Sequence, residues 1–192
     1  MAGKGGDGDG CLLEDAVTGM DERTQRLKGR TRQHTPSPAD PYVIILIDEV
    51  ASLTAYCADR DLKRRIQTAL SPLLSKGRAP GSSVVAALQD PRKDVLPFRD
   101  LFTTRIALRL TEPEQVDMVL GDTARHRGAR CHDIPLALPG VGYLIRDDHP
   151  APVRARFTWV TDHDITSMTA TLTGHDQADD VADTSDDSGR AA

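Results

Sequence analysis

No apolar run in these 192 residues approaches the roughly 18 to 20 needed to cross a bilayer, and the opening stretch, MAGKGGDGDG, lacks the apolar core of a secretory signal. Those two absences exclude a membrane helix and a leader from the reading and place the chain in the cytoplasm as an expectation. Cysteine is scarce as well: Cys11, Cys57 and Cys131 are odd in number and far apart, which fits reduced thiols and not a disulfide framework. His126, Cys131 and His132 lie close together, yet a zinc site takes about four ligands in recognisable pairs, so no metal cluster is assigned. Lysine is rare, 5 against 19 arginines, and no site follows from that ratio. From Thr161 onward glutamate is missing: eight aspartates and one arginine give that end a charge of −7 and leave +2 on the rest. An acidic end so poor in apolar bulk cannot bury enough surface to order itself, so disorder is expected over residues 167–192. The near-neutral body permits nucleic-acid contact without requiring it.

What is present is an alternation of element types. With 39% hydrophobic residues the chain can build a real core. After a Gly-rich, disordered start over residues 1–11, LLEDAVTGMDERTQRLKGR sets Leu12, Val17, Met20 and Leu27 at helical spacing. The Pro-rich QHTPSPADP leads into a strand, YVIILID. The next helix carries Leu62, Ile66, Leu70, Leu73 and Leu74 on one face. Pro72 should kink it or split it, with Ser71 capping the second piece. SSVVAAL and TTRIALRL read as further strands, EPEQVDMVLG as a short helix stopped at Gly121, and GVGYLI and VRARFTWV as two more strands. Strands at the spacing of helices predict an α/β fold with a largely parallel sheet and flanking helices, in one domain over residues 12–166.

The stretch VIILIDEVASL joins five apolar residues, each expected to be buried, to Asp48 and Glu49. In such sheets ligands sit at the carboxyl ends of the strands. A carboxylate there can hold Mg²⁺ through water, and a second beside it can orient or deprotonate the water that attacks a nucleotide's terminal phosphate, the arrangement called Walker B. The bland alternative is that the acids cap the following helix. SSVVAALQDP ends at Gln89, expected next to Asp48 and Glu49. An amide there can report on a γ-phosphate, or it can be an ordinary turn residue.

Over residues 12–166 the chain resembles the carboxyl-terminal half of the motor domain of FtsK/SpoIIIE DNA translocases, of the kind found in plasmid-transfer and mobile-element proteins. The residues that carry the resemblance are RTRQHTP, VIILIDEVASLTAY, LLSKGRAPG, VVAALQDPRKDVLPFRDLFTTRIALRLTEPEQVDMVLG, and LPGVGYLI followed by VRARFTWVTDHDI. The resemblance implies a RecA-like P-loop NTPase fold, ATP with Mg²⁺ as cofactors, and a hexameric ring of like subunits pumping double-stranded DNA. It implies Asp48 as the Walker B aspartate that holds Mg²⁺ through water, Glu49 as the catalytic glutamate and Gln89 as the sensor. Either Arg105 or Arg109 reaches a neighbouring subunit's nucleotide. Strand alternation puts Ile106, Leu108 and Leu110 on the inner face and both arginines on the other.

The family's glycine-rich loop ending in Gly-Lys-Ser/Thr, the main grip on the phosphates, does not occur in these residues. Gly3-Lys4 is followed by glycine and has no strand before it. The chain is therefore expected to be a fragment of a motor, inactive alone: a truncated gene product, a remnant on a mobile element, or half of a split protein completed by a separate chain that supplies the loop. The alternative is a non-catalytic protein that joins and modulates a full-length ring. One open strand edge, beside Asp48, is expected to promote association.

Overall fold

A computed structural model of the chain describes residues 5–92 and 97–171. The elements run α1 (Gly5–Leu27), β1 (Val43–Ile47), α2 (Val50–Leu53), α3 (Arg60–Lys76), β2 (Ser82–Ala86), β3 (Thr104–Ala107), α4 (Pro113–Leu120), β4 (Val141–Arg146) and β5 (His149–Arg156). Two compact units are separated after Ala155. This is the α/β class, with a parallel pair of strands and flanking helices.

The first core lies on one side of β1 and β2. Leu13 and Met20 of α1, Ile47 of β1, Val50 of α2, and Ile66, Ala69, Leu70 and Leu73 of α3 are buried together. Each large side chain so buried contributes about 1.5–3 kcal/mol. The expected face of α3 is largely the observed one, with Leu62 and Leu74 half-buried at its rim. On α1 the stripe is shifted: Leu13 is buried and Leu12 is 69% exposed. α1 also begins at Gly5, so residues 5–11, expected to be disordered, belong to the helix; residues 1–4 lie outside the described part. Asp59 caps α3 by accepting from the amides of Asp61 and Leu62, and the helix runs unbroken through Pro72. The missing proline donor is tolerated because Leu70 and Leu73, on either side of it, are anchored in the core.

A polar brace ties α1 to the loops around β1 and β2. Arg23, 9% exposed, donates to the carbonyls of Pro80, Gly81 and Pro41 at 3.0, 3.2 and 3.1 Å and pairs with Asp40 at 2.6 Å. His34, 8% exposed, contacts the Asp40 carbonyl through Nε2 at 3.0 Å, and its amide donates to the Ala79 carbonyl at 2.8 Å. Burial works against ionisation of Asp40, but Arg26 and Arg23 hold its carboxyl below the ordinary value.

The second core gathers Ala107, Val116, Leu120, Ala124, Ala129, Cys131, Ile134, Val141 and Ile145. α4 starts with a capping box between Glu112 and Gln115, has Pro113 in its first turn, and ends at Gly121 as the acids and glycine of EPEQVDMVLG predict. Here the sheet is antiparallel. β3 pairs with β4 in the register Thr104 to Arg146 through Ala107 to Tyr143. β4 and β5 are joined by the two-residue turn Asp147-Asp148, which can link only antiparallel strands. Parallel pairing among the described residues is thus confined to β1 and β2. β5 starts at His149, earlier than expected, and stops at Arg156 before Phe157.

In the second unit, residues 162–171 are helical. Thr161 Oγ1 accepts from the Asp164 amide and the Asp164 carboxylate accepts from the Thr161 amide and hydroxyl, a reciprocal cap that starts the helix where disorder was expected to set in shortly after. The expected tail beyond residue 171 lies outside the described residues.

Burial pushes the Cys131 thiol up to about 11 and leaves its sulfur inaccessible, while Cys11 is exposed and Cys57 half-buried. Only the thiolate reacts with alkylating reagents. At pH 8, iodoacetamide is therefore expected to label Cys11 and Cys57 in the native chain and Cys131 only after denaturation, read by peptide mass. Labelling of Cys131 at the rate of Cys11 would remove it from the core.

Candidate functional site

The site is built at the carboxyl ends of two adjacent parallel strands. β1 and β2 pair in the register Val43 to Ser82 through Ile47 to Ala86, and the ladder continues with the Ala87 amide donating to Ile47 at 2.8 Å and the Val50 amide to Ala87 at 3.0 Å. Asp48 and Glu49 follow β1 directly, and Gln89 follows β2 by three residues. Parallel pairing must therefore bring both strand ends to one edge. The Gln89 amide donates to Glu49 Oε2 at 3.2 Å, and the other carboxylate oxygen, Oε1, accepts from the Ala51 amide at 3.0 Å.

Glu49 is the N-cap of α2, so the capping role weighed against a catalytic one is present. Its side chain spans the seam between the strand ends, with one oxygen on each side. Asp48, next to it, is exposed. Beyond Gln89, Asp90 is held by the backbone amide and guanidinium of Arg92, which keep its carboxyl below the ordinary range.

The five apolar residues of β1 are not all buried, as had been expected. Ile47 is 8% exposed, but Ile44 is 66% and Leu46 73% exposed. Helices cover one face of the two-stranded sheet, and no element among the described residues covers the other face or the outer edge of β1.

The arginines are not brought together. β3 ends at Ala107, so Arg109 lies beyond the strand and is exposed. The face assignment is reversed as well: Ala107 is buried at 3% while Ile106 and Leu108 are 47% and 49% exposed. The side of β3 that α4 covers is the side of Ala107, and Arg105 shares it by alternation. Arg105 lies 3.9 Å from Asp100 and its guanidinium packs on Gly121, where a Cβ would come within 3.1 Å of it. Leu110 alone of the expected inner residues packs at the second core, as a half-buried side chain.

A groove of about 300 Å³ opens between β2 and β3, lined mainly by apolar side chains together with Arg99 and Arg105. The strand pattern gave no signal for it, nor for the buried pairing of Arg23, His34 and Asp40. For the nucleotide that the resemblance implies, the donor set is one-sided. Asp48 and Glu49 supply carboxylates suited to a hydrated divalent cation, but no glycine-rich amide cradle for phosphates accompanies them among the described residues.

No protein-family model matches the chain. Two curated relatives do in part. It is 32% identical over 107 residues to the DNA translocase FtsK of Caulobacter vibrioides, covering 55% of this chain and 12% of that protein. It is 38% identical over 122 residues to an uncharacterised FtsK-like protein of Nostoc, covering 58% of this chain and 16% of that one. Among solved structures, the pCW3 conjugation coupling protein TcpA, in a monomer form with ATPγS, superposes with a TM-score of 0.69 at 19% identity over 82% of this chain and 46% of that chain. The cytoplasmic domain of the type VII secretion ATPase EccC of Thermomonospora curvata gives 0.54 at 24% identity, over 77% and 17%. The α/β fold is accordingly that of part of the TcpA and EccC chains. Among the described residues no helix is long and apolar enough to cross a membrane.

Proposed function

We propose that this chain, a relative of one segment of FtsK-type translocases, is the Walker B side of an ATP-driven motor for double-stranded DNA and works only when another polypeptide segment supplies the phosphate-binding loop. The observation that carries the reading is the contact between the Gln89 amide and the Glu49 carboxylate at the shared edge of two parallel strands. In this reading Asp48 holds Mg²⁺ through water, Glu49 orients the attacking water and Gln89 senses the phosphate. Arg105 or Arg109 faces the nucleotide of a neighbouring subunit in a ring.

The residues present fit the cation better than the triphosphate. Without Gly-Lys-Ser/Thr the amides that grip phosphates are missing, so the chain alone is not expected to perform the hydrolytic step. Purified with Mg²⁺ and ATP, with or without duplex DNA, the chain is expected to show no turnover above background. Hydrolysis at about 1 s⁻¹ or faster, abolished by Glu49→Gln, would overturn that expectation.

A second reading, a non-catalytic subunit that joins a full-length ring in the cytoplasm, is favoured by the exposed Ile44 and Leu46 on the outer part of β1. The two readings separate on one variant. Glu49→Gln abolishes any activity gained on complementation if the chain is a motor part, and leaves its effect on a ring unchanged if it is only a modulator.

A further inference from the structure

The groove between β2 and β3 is flanked by strand edges, as the residues lining it show. Val84, Val85 and Ala86 of β2 and Thr104, Arg105 and Ile106 of β3 all contribute, in unbroken succession. A strand that presents one face contributes alternate residues; consecutive residues mean that the groove meets the strand edge-on. β2 pairs with β1 on its other side and β3 with β4 on its other side, so neither strand has a partner strand across the groove among the described residues.

The ladder fixes which backbone groups are free on β2. The Gly81 carbonyl accepts from Val43 and the Ala87 amide donates to Ile47, so the odd-numbered residues of β2 face β1. Successive peptide planes point to opposite sides, so the even-numbered residues face away. The Ser82 amide confirms this by donating to Gly77 at 2.8 Å, on the side of the helix end. Val84 and Ala86 therefore turn their N–H and C=O groups towards the groove. Arg99 and Arg105 add two donors, for Arg99 Nη1 and Arg105 Nε are buried and have no hydrogen-bond partner among the described residues.

We propose that this groove is an acceptor slot for one extended apolar segment of a separate polypeptide, which pairs with Val84 and Ala86 and joins the two sheets into one. A compact apolar ligand would fill the volume and leave two amides, two carbonyls and two guanidinium nitrogens unpaired. A strand presents both donors and acceptors at the needed spacing, and its alternate side chains meet Leu88, Phe102, Ile106 and Met118. The TcpA chain, of which this chain covers 46%, has ample further length to hold such a strand. The inference deepens the motor reading and rests on it only for the source of the segment.

The test is amide hydrogen exchange on the 192-residue chain with and without a capped peptide, lysine-threonine-valine-isoleucine-valine-threonine-lysine. In the free chain Val84 and Ala86 should exchange faster than Ser83 and Val85. The peptide should slow Val84 and Ala86 by roughly tenfold, the scale of one net hydrogen bond. Ile106→Glu, at a half-exposed position, should abolish the slowing without changing the melting temperature. Independently of any variant, the same peptide with proline in place of isoleucine should have no effect. Three results would each overturn the proposal: amides of Val84 and Ala86 already slow in the free chain, slowing that depends on protein concentration without peptide, or no response to the peptide. Because no nucleotide is involved, the outcome is independent of whether the motor reading survives.

Discussion

Gly81→Ala is expected to lower unfolding stability by about 2–5 kcal/mol. Two penalties combine. Gly81 has φ +80°, a left-handed conformation in which a side chain is strained, and a Cβ built there lies 2.3 Å from His34 Cδ2 and 2.9 Å from its Cγ. The imidazole cannot simply retreat. Its ring is held by the Asp40 carbonyl and its backbone by Ala79, while Arg23 bonds to the Gly81 carbonyl from α1. Gly29 separates the two penalties, because it has φ +75° with nothing within 4 Å of an added Cβ. Gly29→Ala should therefore cost only about 1 kcal/mol, the backbone component. Denaturant midpoints of the two variants, together with Gly81→Ala in a His34→Ala background, give a direct measure. Equal losses at Gly29 and Gly81, or no recovery in the double variant, would show that His34 is not the obstacle.

The contrast between these glycines bears on what could be read from residue order. An apolar run followed by acids, then a helix, then a second apolar run is enough to align Asp48 and Glu49 with Gln89, because parallel strands with a helical crossover must end at the same edge. The capping box of α4 and its stop at Gly121 are equally local and equally legible. Arg23 and His34 were not, since nothing near them in sequence says that a guanidinium and an imidazole are nine-tenths buried; their partners lie up to 58 residues away. The faces of β3 were misread for a related reason. IAL alternates as though Ile106 and Leu108 pointed inward, but which side of a strand is covered depends on where α4 packs, and it packs against Ala107. The groove was hidden for a deeper cause: it lies between edges of two separate sheets, and no local pattern in residue order says that β2 and β3 come to face each other. The open edge was expected beside Asp48, and β1 is open there; the edge that meets a groove is that of β2.

That reading of β3 gives the two arginines different expected effects. The guanidinium of Arg105, a quarter exposed, is held between Asp100 and Gly121, and its Nε is buried, so Arg105→Ala removes packing from under α4. Arg109 is exposed past the end of the strand, and on the proposed motor reading it is the one placed to act across a subunit boundary. When this chain is added to a full-length FtsK-type translocase, it is therefore expected to change the DNA-stimulated ATPase rate through Arg109. An arginine that reaches a neighbour's transferring phosphoryl group is worth about 10³–10⁵ in rate in other phosphoryl-transfer systems, so Arg109→Ala should remove nearly all of the chain-dependent change. Arg105→Ala should instead lower the melting temperature and reduce the effect only in proportion to the folded fraction. Arg92→Ala serves as the control for loss of charge, since Arg92 is committed to Asp90. If all three variants alter the rate equally while cosedimenting with the ring, neither Arg105 nor Arg109 acts across a subunit boundary. If Arg105→Ala abolishes the effect with its melting temperature intact, the roles assigned to the two arginines are exchanged.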